Sequence, residues 1–476
     1  MRRALWWLSP VACWSMSVSA ADSTAVLQTA SKVLGADNLS SIEYSGSGFE
    51  FAFGQAYEVT WPWPKINLKT YTRVVSFNPW ATSMQRTRTQ FENPPRGGGR
   101  QPLTGEQIQT QIVAAGTPAA AALPDELAVT LPQAFVKIAA AAKDASVKAV
   151  TQNGKSYQVV SFTAGNKATM SGWLNSQGLV ERVETKIDNT VLGDVAYEAS
   201  FENYQDFHGI KFPTHIVQKQ AGTPVLELTI TDVKANVPVN IQADASAEAP
   251  QPPLKSEQLG DGVYLISGGY AAVAVGLKDH IVIIEGGQND QRSEAVMAEA
   301  KRLIPGKPIG ELVNTHAHFD HLGGVRAYVA EGATIITRAS NKEYYEKIWT
   351  NPHTLVPDKL SQHPRQPKFK VVNDSLTLGE GEHVIEIYHQ QGFDHQAGML
   401  FVYLPKQKVL IEADSLNAPP TPLTQTPAVI SSANMNLMDN IERLHLDVQR
   451  IVPIHLPPNG RVVTMAELRM AVGKAN

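Results

Sequence analysis

The sequence predicts an α+β chain of two domains, an antiparallel β-rich N-terminal domain and a C-terminal sandwich of two sheets with helices outside. Three observations carry that expectation. At 476 residues the chain is too long for one ordinary domain, and its 43% hydrophobic content is globular, not disordered. Residues 22–243 hold aromatic and β-branched runs punctuated by Gly, Pro and Asn, the texture of successive antiparallel strands, whereas residues 254–476 alternate short apolar strands with helices. Between them Asp244 to Pro253, rich in Ala and Pro, reads as a linker.

The chain opens with Met1-Arg2-Arg3, an apolar run from Ala4 to about Ala12, and Ser17-Val18-Ser19-Ala20-Ala21. These are the three parts of a secretory signal peptide over residues 1–21, so the expected location is periplasmic or secreted. Pro10 and the serines interrupt the run, which makes it a poor spanning helix, and no stable membrane span is expected after cleavage. Cleavage also removes Cys13, the single cysteine, so the mature chain has neither a disulfide nor a thiolate ligand. A formal charge of −4 gives no basic footprint for nucleic acid. The expected partner is a small-molecule substrate, and the oligomeric state stays open.

Ser23 to Gly35 has helical spacing with a glycine stop. Strands are expected at Ile42 to Phe53, Tyr57 to Trp63, Leu68 to Phe77 and Ser83 to Phe91, followed by a mobile glycine-rich loop from Asn93 to Arg100. Leu131 to Ala142 is an Ala-rich helix, and strands resume at Ala149 to Thr151, Tyr157 to Phe162, Ala168 to Leu174, Val180 to Ile187, Ala196 to Tyr204 and Val225 to Val233. The stretch Asn203 to Thr214, with its Gly209-Ile210-Lys211-Phe212-Pro213 turn, resembles the strand-turn text of periplasmic lipoprotein-carrier half-barrels. His208 and His215 have no second ligand beside them and are expected on a turn or strand face.

In the C-terminal half, Val263 to Ile266 and Ala271 to Val275 form a hairpin, His280 to Ile284 a buried strand, Arg292 to Leu303 a helix and Ile309 to Val313 another buried strand. Val325 to Ala330 and Asn341 to Trp349 continue as helices. Asn351 to Lys368 is an insertion placed to act as a lid, with His353 and His363 expected as solvated loop residues. Asn417 to Pro427, with four prolines, is a second loop that could border a pocket. Leu437 to Leu446 is helical, with His445 on its surface.

The chemistry concentrates in Asn314-Thr315-His316-Ala317-His318-Phe319-Asp320-His321-Leu322-Gly323-Gly324, three imidazoles and a carboxylate within six residues on a strand-to-helix turn. Alternate residues of an extended chain point the same way, so His316 and His318 can converge on one ion. Asp320 and His321, just past the turn, can face a second. Such a cluster is costly to desolvate unless something binds it.

This pattern resembles the signature of the metallo-β-lactamase fold superfamily, over about residues 255 to 470. The resemblance implies an αββα sandwich and three further ligands: His395 in Gly392-Phe393-Asp394-His395-Gln396-Ala397-Gly398, Asp414 in Ile411-Glu412-Ala413-Asp414-Ser415-Leu416, and His455 in Ile454-His455-Leu456. It implies His316, His318 and His395 on one ion, Asp320, His321 and His455 on the other, and Asp414 between them. Two Zn²⁺ ions suit this nitrogen and oxygen set, with Fe or Mn open, and would supply a bridging hydroxide as nucleophile, with Asp320 also passing on the proton. Glu285-Gly286-Gly287 stands where the family has an Asp and a Gly, and Gln396-Ala397 where it has Thr and Pro. Ala413-Asp414-Ser415-Leu416 is also similar to the third subclass of metallo-β-lactamases, in which Ser415 would hold a water and Asp414 would not bridge. The leading reading is a hydrolase of a small ester, lactone, amide or related molecule. The alternatives are a β-lactam hydrolase of the third subclass and a non-catalytic carrier of an apolar ligand.

Overall fold

A computed structural model describes residues 17–18, 20–99, 102–242, 253–381 and 383–474. Most of the expected signal peptide, with Cys13, and nearly all of the expected linker lie outside these residues. Among the described residues no helix is long and apolar enough to cross a membrane.

The N-terminal half is built on one twelve-stranded sheet whose neighbours are all antiparallel. Its last long strand, Thr223–Ala235, pairs with its first, Ser41–Phe51, so the chain closes on itself in mid-sheet and leaves Gln107–Val113 at one edge. The helices Ala20–Leu34, Leu123–Thr130 and Pro132–Ala141 cover one face, where Leu34, Leu127 and Phe135 share a core with Tyr71, Phe201 and Phe212.

Several local expectations are corrected. Tyr57 to Trp63 is not a strand: it turns, with the Tyr57 and Trp61 rings 5.2 Å apart, and leads into the strand Lys65–Phe77. Gln107–Val113 was not anticipated because Gln and Thr dominate it, which an open sheet edge tolerates. Ile210–Gln220 was hidden by Pro213, which reads as a turn but sits opposite Tyr204 within the ladder. Leu123–Thr130 escaped notice because Pro124 suggests a loop, although proline is well placed in a helix's first turn.

The C-terminal half holds a seven-stranded and a six-stranded sheet. The first opens with the unanticipated strand Lys255–Gly260, continues antiparallel to Ile281–Ile284, and turns parallel through Ile309–Val313, Thr334–Arg338 and Lys368–Val372. In the second, Val409–Glu412 and Arg450–Pro453 are the parallel pair. The two sheets share one core, in which Val273, Ile284 and Val313 meet Ile387, Val402, Ile411 and Val452. Helices Asp290–Leu303, Val325–Glu331 and Ala339–Ile348 pack on the other face of the first sheet, and Ser432–Arg443 and Met465–Ala471 on the other face of the second.

The halves are joined by more than the chain. Val191 and Leu192, in the turn that precedes the strand Gly193–Phe207, and Val195 within that strand are buried in the same cluster as Ile283, Val296 and Tyr328. The insertion Asn351 to Lys368 lies against this junction: Asn351 Nδ2 donates to Leu192 O at 3.0 Å, and Asp358 pairs with the buried Arg326 guanidinium, Nη2 to Oδ1 at 3.0 Å. None of its residues borders the main cavity, so it is a strut and not a lid. His353 is correspondingly buried, at 5% exposure, and not solvated as expected, while His363 is exposed.

Candidate metal centre

The parallel strands aim their C-terminal ends at one place. Glu285 follows Ile281–Ile284, Thr315 to His318 follow Ile309–Val313, Asp414 follows Val409–Glu412, and His455 follows Arg450–Pro453. The short helix Phe319–Leu322 then carries Asp320 and His321, and His395 enters from the turn between Ile385–His389 and Leu400–Leu404.

Each imidazole of the metal loop has one nitrogen engaged and the other turned inward. His321 Nδ1 donates to Glu285 Oε2 at 2.9 Å, while Glu285 Oε1 accepts from Thr315 N at 2.5 Å. The glutamate, which stands where the family has an aspartate, thus still anchors the loop, and its backbone is left-handed, at φ +55°. His318 Nε2 donates to Ala56 O at 3.0 Å, and His316 Nδ1 lies 3.0 Å from Thr315 Oγ1. His316 Nε2, His318 Nδ1 and His395 Nε2 are buried without a hydrogen-bond partner among the described residues.

Those atoms converge. Three groups have donor atoms mutually within 4.8 Å: His316, His318 and His395; His316, His321 and Asp414; and Asp320, His321 and His455. His321 Nε2 lies 3.1 Å from His455 Nε2, and Asp414 Oδ2 lies 2.9 Å from His321 Nε2, 3.4 Å from His316 Nε2 and 3.6 Å from His395 Nε2. Asp414 Oδ1 is 3.0 Å from His455 Nε2. Donors on a tetrahedral ion with ligand distances of about 2.0–2.1 Å stand roughly 3.3 Å apart, so the spacing and the orphaned atoms fit a metal.

The electrostatics of His316 and His318 point the same way. Burial, then the neighbouring imidazoles, holds His316 well below its ordinary pKa, and burial with His395 pushes His318 down to about 3, so both stay neutral and able to ligate. Burial also opposes charge on His321, but Asp414, Asp320 and Glu285 outweigh it and push that group well above its ordinary value. Asp414 is held well below the carboxylate range: burial opposes its charge, and His321 and His395 overcome that cost.

Residues outside the expected set complete the site. Asp320 is fixed on both oxygens, with Gln55 Nε2 donating to Oδ1 and Tyr270 OH to Oδ2, each at 2.8 Å. Tyr270 is held by Arg292, whose Nη2 donates to its carbonyl at 2.6 Å. The glycine-rich loop expected to be mobile is docked here: Gly97 N donates to Asp394 O, and Gly98 N to Gln55 O, each at 2.9 Å. A Cβ on Gly98 would come within 2.9 Å of His318 Nδ1, so only glycine lets this loop close over the imidazole. Ala397, at a departure from the family's text, donates its N–H to Tyr57 O at 2.9 Å. No local motif marks Gln55 or Ala56, and the weak signal was an irregular Gly-Gln-Ala-Tyr stretch between strands.

All seven expected site residues come together. His208 sits on an exposed turn, His215 lies on a strand between Glu202 and Glu227, and His445 is exposed just beyond its helix, none of them near the centre. The Ser415 hydroxyl is committed to Gln390 Oε1 at 2.9 Å, and burial pushes the neighbouring Glu412 carboxyl up to about 8.

Asp320, His395, Asp414 and His455 face a cavity of about 1410 Å³ that continues into the N-terminal sheet. Residues 268–455 match the family described as Metallo-beta-lactamase superfamily. Among solved structures, a metallo-beta-lactamase from Pontibacter korlensis is similar at 19% identity, with 47% of this chain and 99% of that chain covered and a TM-score of 0.35. One from Hirschia baltica is similar at 17% identity, with coverages of 47% and 98% and a TM-score of 0.35. The family match covers the segment that carries the histidine cluster, so residues 268–455 are similar to the metallo-beta-lactamase superfamily, a family of metal-dependent hydrolases.

Proposed function

We propose that the protein is an exported dinuclear zinc hydrolase acting on a small ester, lactone, amide or related substrate, with its C-terminal half folded as an αββα sandwich. The observation that carries this reading is the position of Asp414. Its Oδ2 faces His316, His321 and His395 while Oδ1 faces His455, so one carboxylate is common to both histidine groups. His316, His318 and His395 would hold one ion and Asp320, His321 and His455 the other, with Asp414 within reach of both. Two zinc ions held there would supply Lewis acidity for the scissile bond and bring the pKa of a water toward neutrality.

The chain's own residues do the remaining work. Gln55 and Tyr270 hold the Asp320 carboxylate against rotation, so that Oδ2 is positioned to take the proton released as the nucleophile forms. Glu285 fixes the tautomer of His321, and Ala56 that of His318. The commitment of Ser415 to Gln390 favours the bridging role of Asp414 over a water-holding serine. Arginines and glutamates on the cavity wall disfavour a carrier of apolar ligands.

The test is a screen of the zinc-loaded chain against β-lactams, lactones, aryl esters, phosphodiesters and sulfate esters, in parallel with Asp320→Ala. Turnover of an ester, lactone or amide is expected, falling by roughly 10²- to 10⁴-fold in the variant while one zinc is retained. Turnover confined to β-lactams would select the third-subclass reading, and turnover that survives Asp320→Ala would refute the assignment.

A further inference from the structure

The strand Gln107–Val113 ends the twelve-stranded sheet, and among the described residues no strand pairs with its outer side. Its pairing with Trp80–Gln90 runs without a register shift, from Val113 opposite Thr82 to Gln107 opposite Arg88, so no bulge bends this edge away. The sequence Gln-Ile-Gln-Thr-Gln-Ile-Val contains neither a charge nor a proline. Soluble proteins blunt an open edge with lysine, proline, a bulge or an inward charge. Gln107–Val113 has none of these, and Ile108 beside its outward N–H and C=O groups is 71% exposed.

The order of the residues says what fits this edge. Ile108-Gln109-Thr110-Gln111-Ile112 reads the same in both directions. In an antiparallel pair related by a two-fold axis at Thr110, like therefore meets like: Ile108 stands opposite Ile112, Gln109 opposite Gln111, and Thr110 opposite itself. Opposite residues share a face, and a pair of threonines is among the favourable cross-strand contacts. Charge raises no obstacle. Glu106, the nearest charged residue along the chain, would stand opposite Ala114 and is already paired with Lys69. Just beyond the strand's ends, a Cβ on Gly105 or Gly116 would meet nothing within 4 Å, so neither flank is packed at those points.

We propose that Gln107–Val113 is the self-association edge of the protein, pairing antiparallel with the same strand of a second copy about a two-fold axis at Thr110. Either phase of the ladder gives about six to eight backbone hydrogen bonds. The two-fold closes the assembly at two chains, because the pairing uses up this edge in both copies. It also reaches the main cavity. Gln109 and Gln111 line that cavity, so the second copy's glutamines at the same positions extend its wall. The inference is independent of the hydrolase reading.

Light scattering on the full chain across a dilution series is expected to give the mass of two copies, falling to one on dilution. Thr110→Lys sets two ammonium groups opposite each other at the axis and is expected to give a monomer at every concentration, with zinc content unchanged. Crosslinking reads the register itself. Cys13 is the single cysteine, so in a Cys13→Ser background Thr110→Cys offers one thiol per chain. A short bismaleimide is expected to join two such chains about tenfold faster than it joins Thr231→Cys chains, whose exposed position lies on a strand with neighbours on both sides. Should Thr110→Lys fail to fold, the crosslinking rates alone decide. A chain that is monomeric at every concentration, one that assembles beyond two copies, a dimer that survives Thr110→Lys, or thiols at position 110 that join no faster than those at position 231 would overturn the proposal.

Discussion

At the scale of single residues, the site depends on where each polar atom is sent. His316 and His318 alternate along an extended segment, which makes their convergence legible in the sequence, whereas the atom that each presents is decided by Thr315 and Ala56. The role of Asp414 was ambiguous as text; its backbone is left-handed, at φ +61°, and its carboxylate lies among the imidazoles of His316, His321 and His395. Gln55 shows the limit of local reading, since 265 residues separate it from the carboxylate that it orients. Gln55→Ala is expected to retain both zinc ions and to lower kcat by about ten- to a hundredfold with little change in KM, the loss of one hydrogen bond to a charged group. Steady-state kinetics beside metal analysis check this, and an unchanged kcat would show that Asp320 needs no such support.

Among the elements, the insertion from Asn351 to Lys368 differs most from its sequence-based description. Its prolines and histidines suggest a lid, but Asp358 meets Arg326, and hydrogen bonds to the Asp194 carboxylate tie Thr354 and Leu355 to the N-terminal sheet. Burial opposes charge on Asp358, yet hydrogen bonds from Arg326 and Ser361 outweigh it and lower its pKa to about 2. A carboxyl whose pKa is depressed on folding contributes stability that is present above its unfolded value and lost as pH falls through the folded one. The advantage of the wild type over Asp358→Asn is therefore expected to be full above about pH 4 and to fade toward pH 2. At neutral pH the substitution should cost on the order of 3 kcal/mol, because it leaves the Arg326 guanidinium buried without its counter-ion. Denaturant titrations across that range test this, and a difference that grows on acidification would contradict it.

For the molecule as a whole, the two halves share both a core and the candidate site. Phe319 of the metal loop packs edge-on against Phe53 at 5.4 Å and Trp63 at 5.6 Å, and its N–H donates to Gly54 O at 3.1 Å. The β-rich texture of the N-terminal half and the alternating texture of the C-terminal half were legible because hydrophobic period follows local geometry. The clasp was not, because Phe53 to Trp63 has no period and its contacts to Phe319 and Asp320 are to residues far along the chain. Residues 255–476 expressed alone are expected to expose the surface around Phe319, to melt at lower temperature than the full chain, and to lose turnover on an activated aryl ester by about a hundredfold. A fragment with the stability and activity of the full chain would show that the clasp is incidental.

The central claim is that one carboxylate and two sets of side chains hold two ions. Elemental analysis of the dialysed full chain, with and without added Zn²⁺, tests it most directly, together with the same measurement on Asp414→Ala. About two zinc ions per chain are expected for the wild type and no more than one for the variant. A wild-type stoichiometry of one or fewer that added Zn²⁺ does not raise, or a variant that still holds two, would contradict the account.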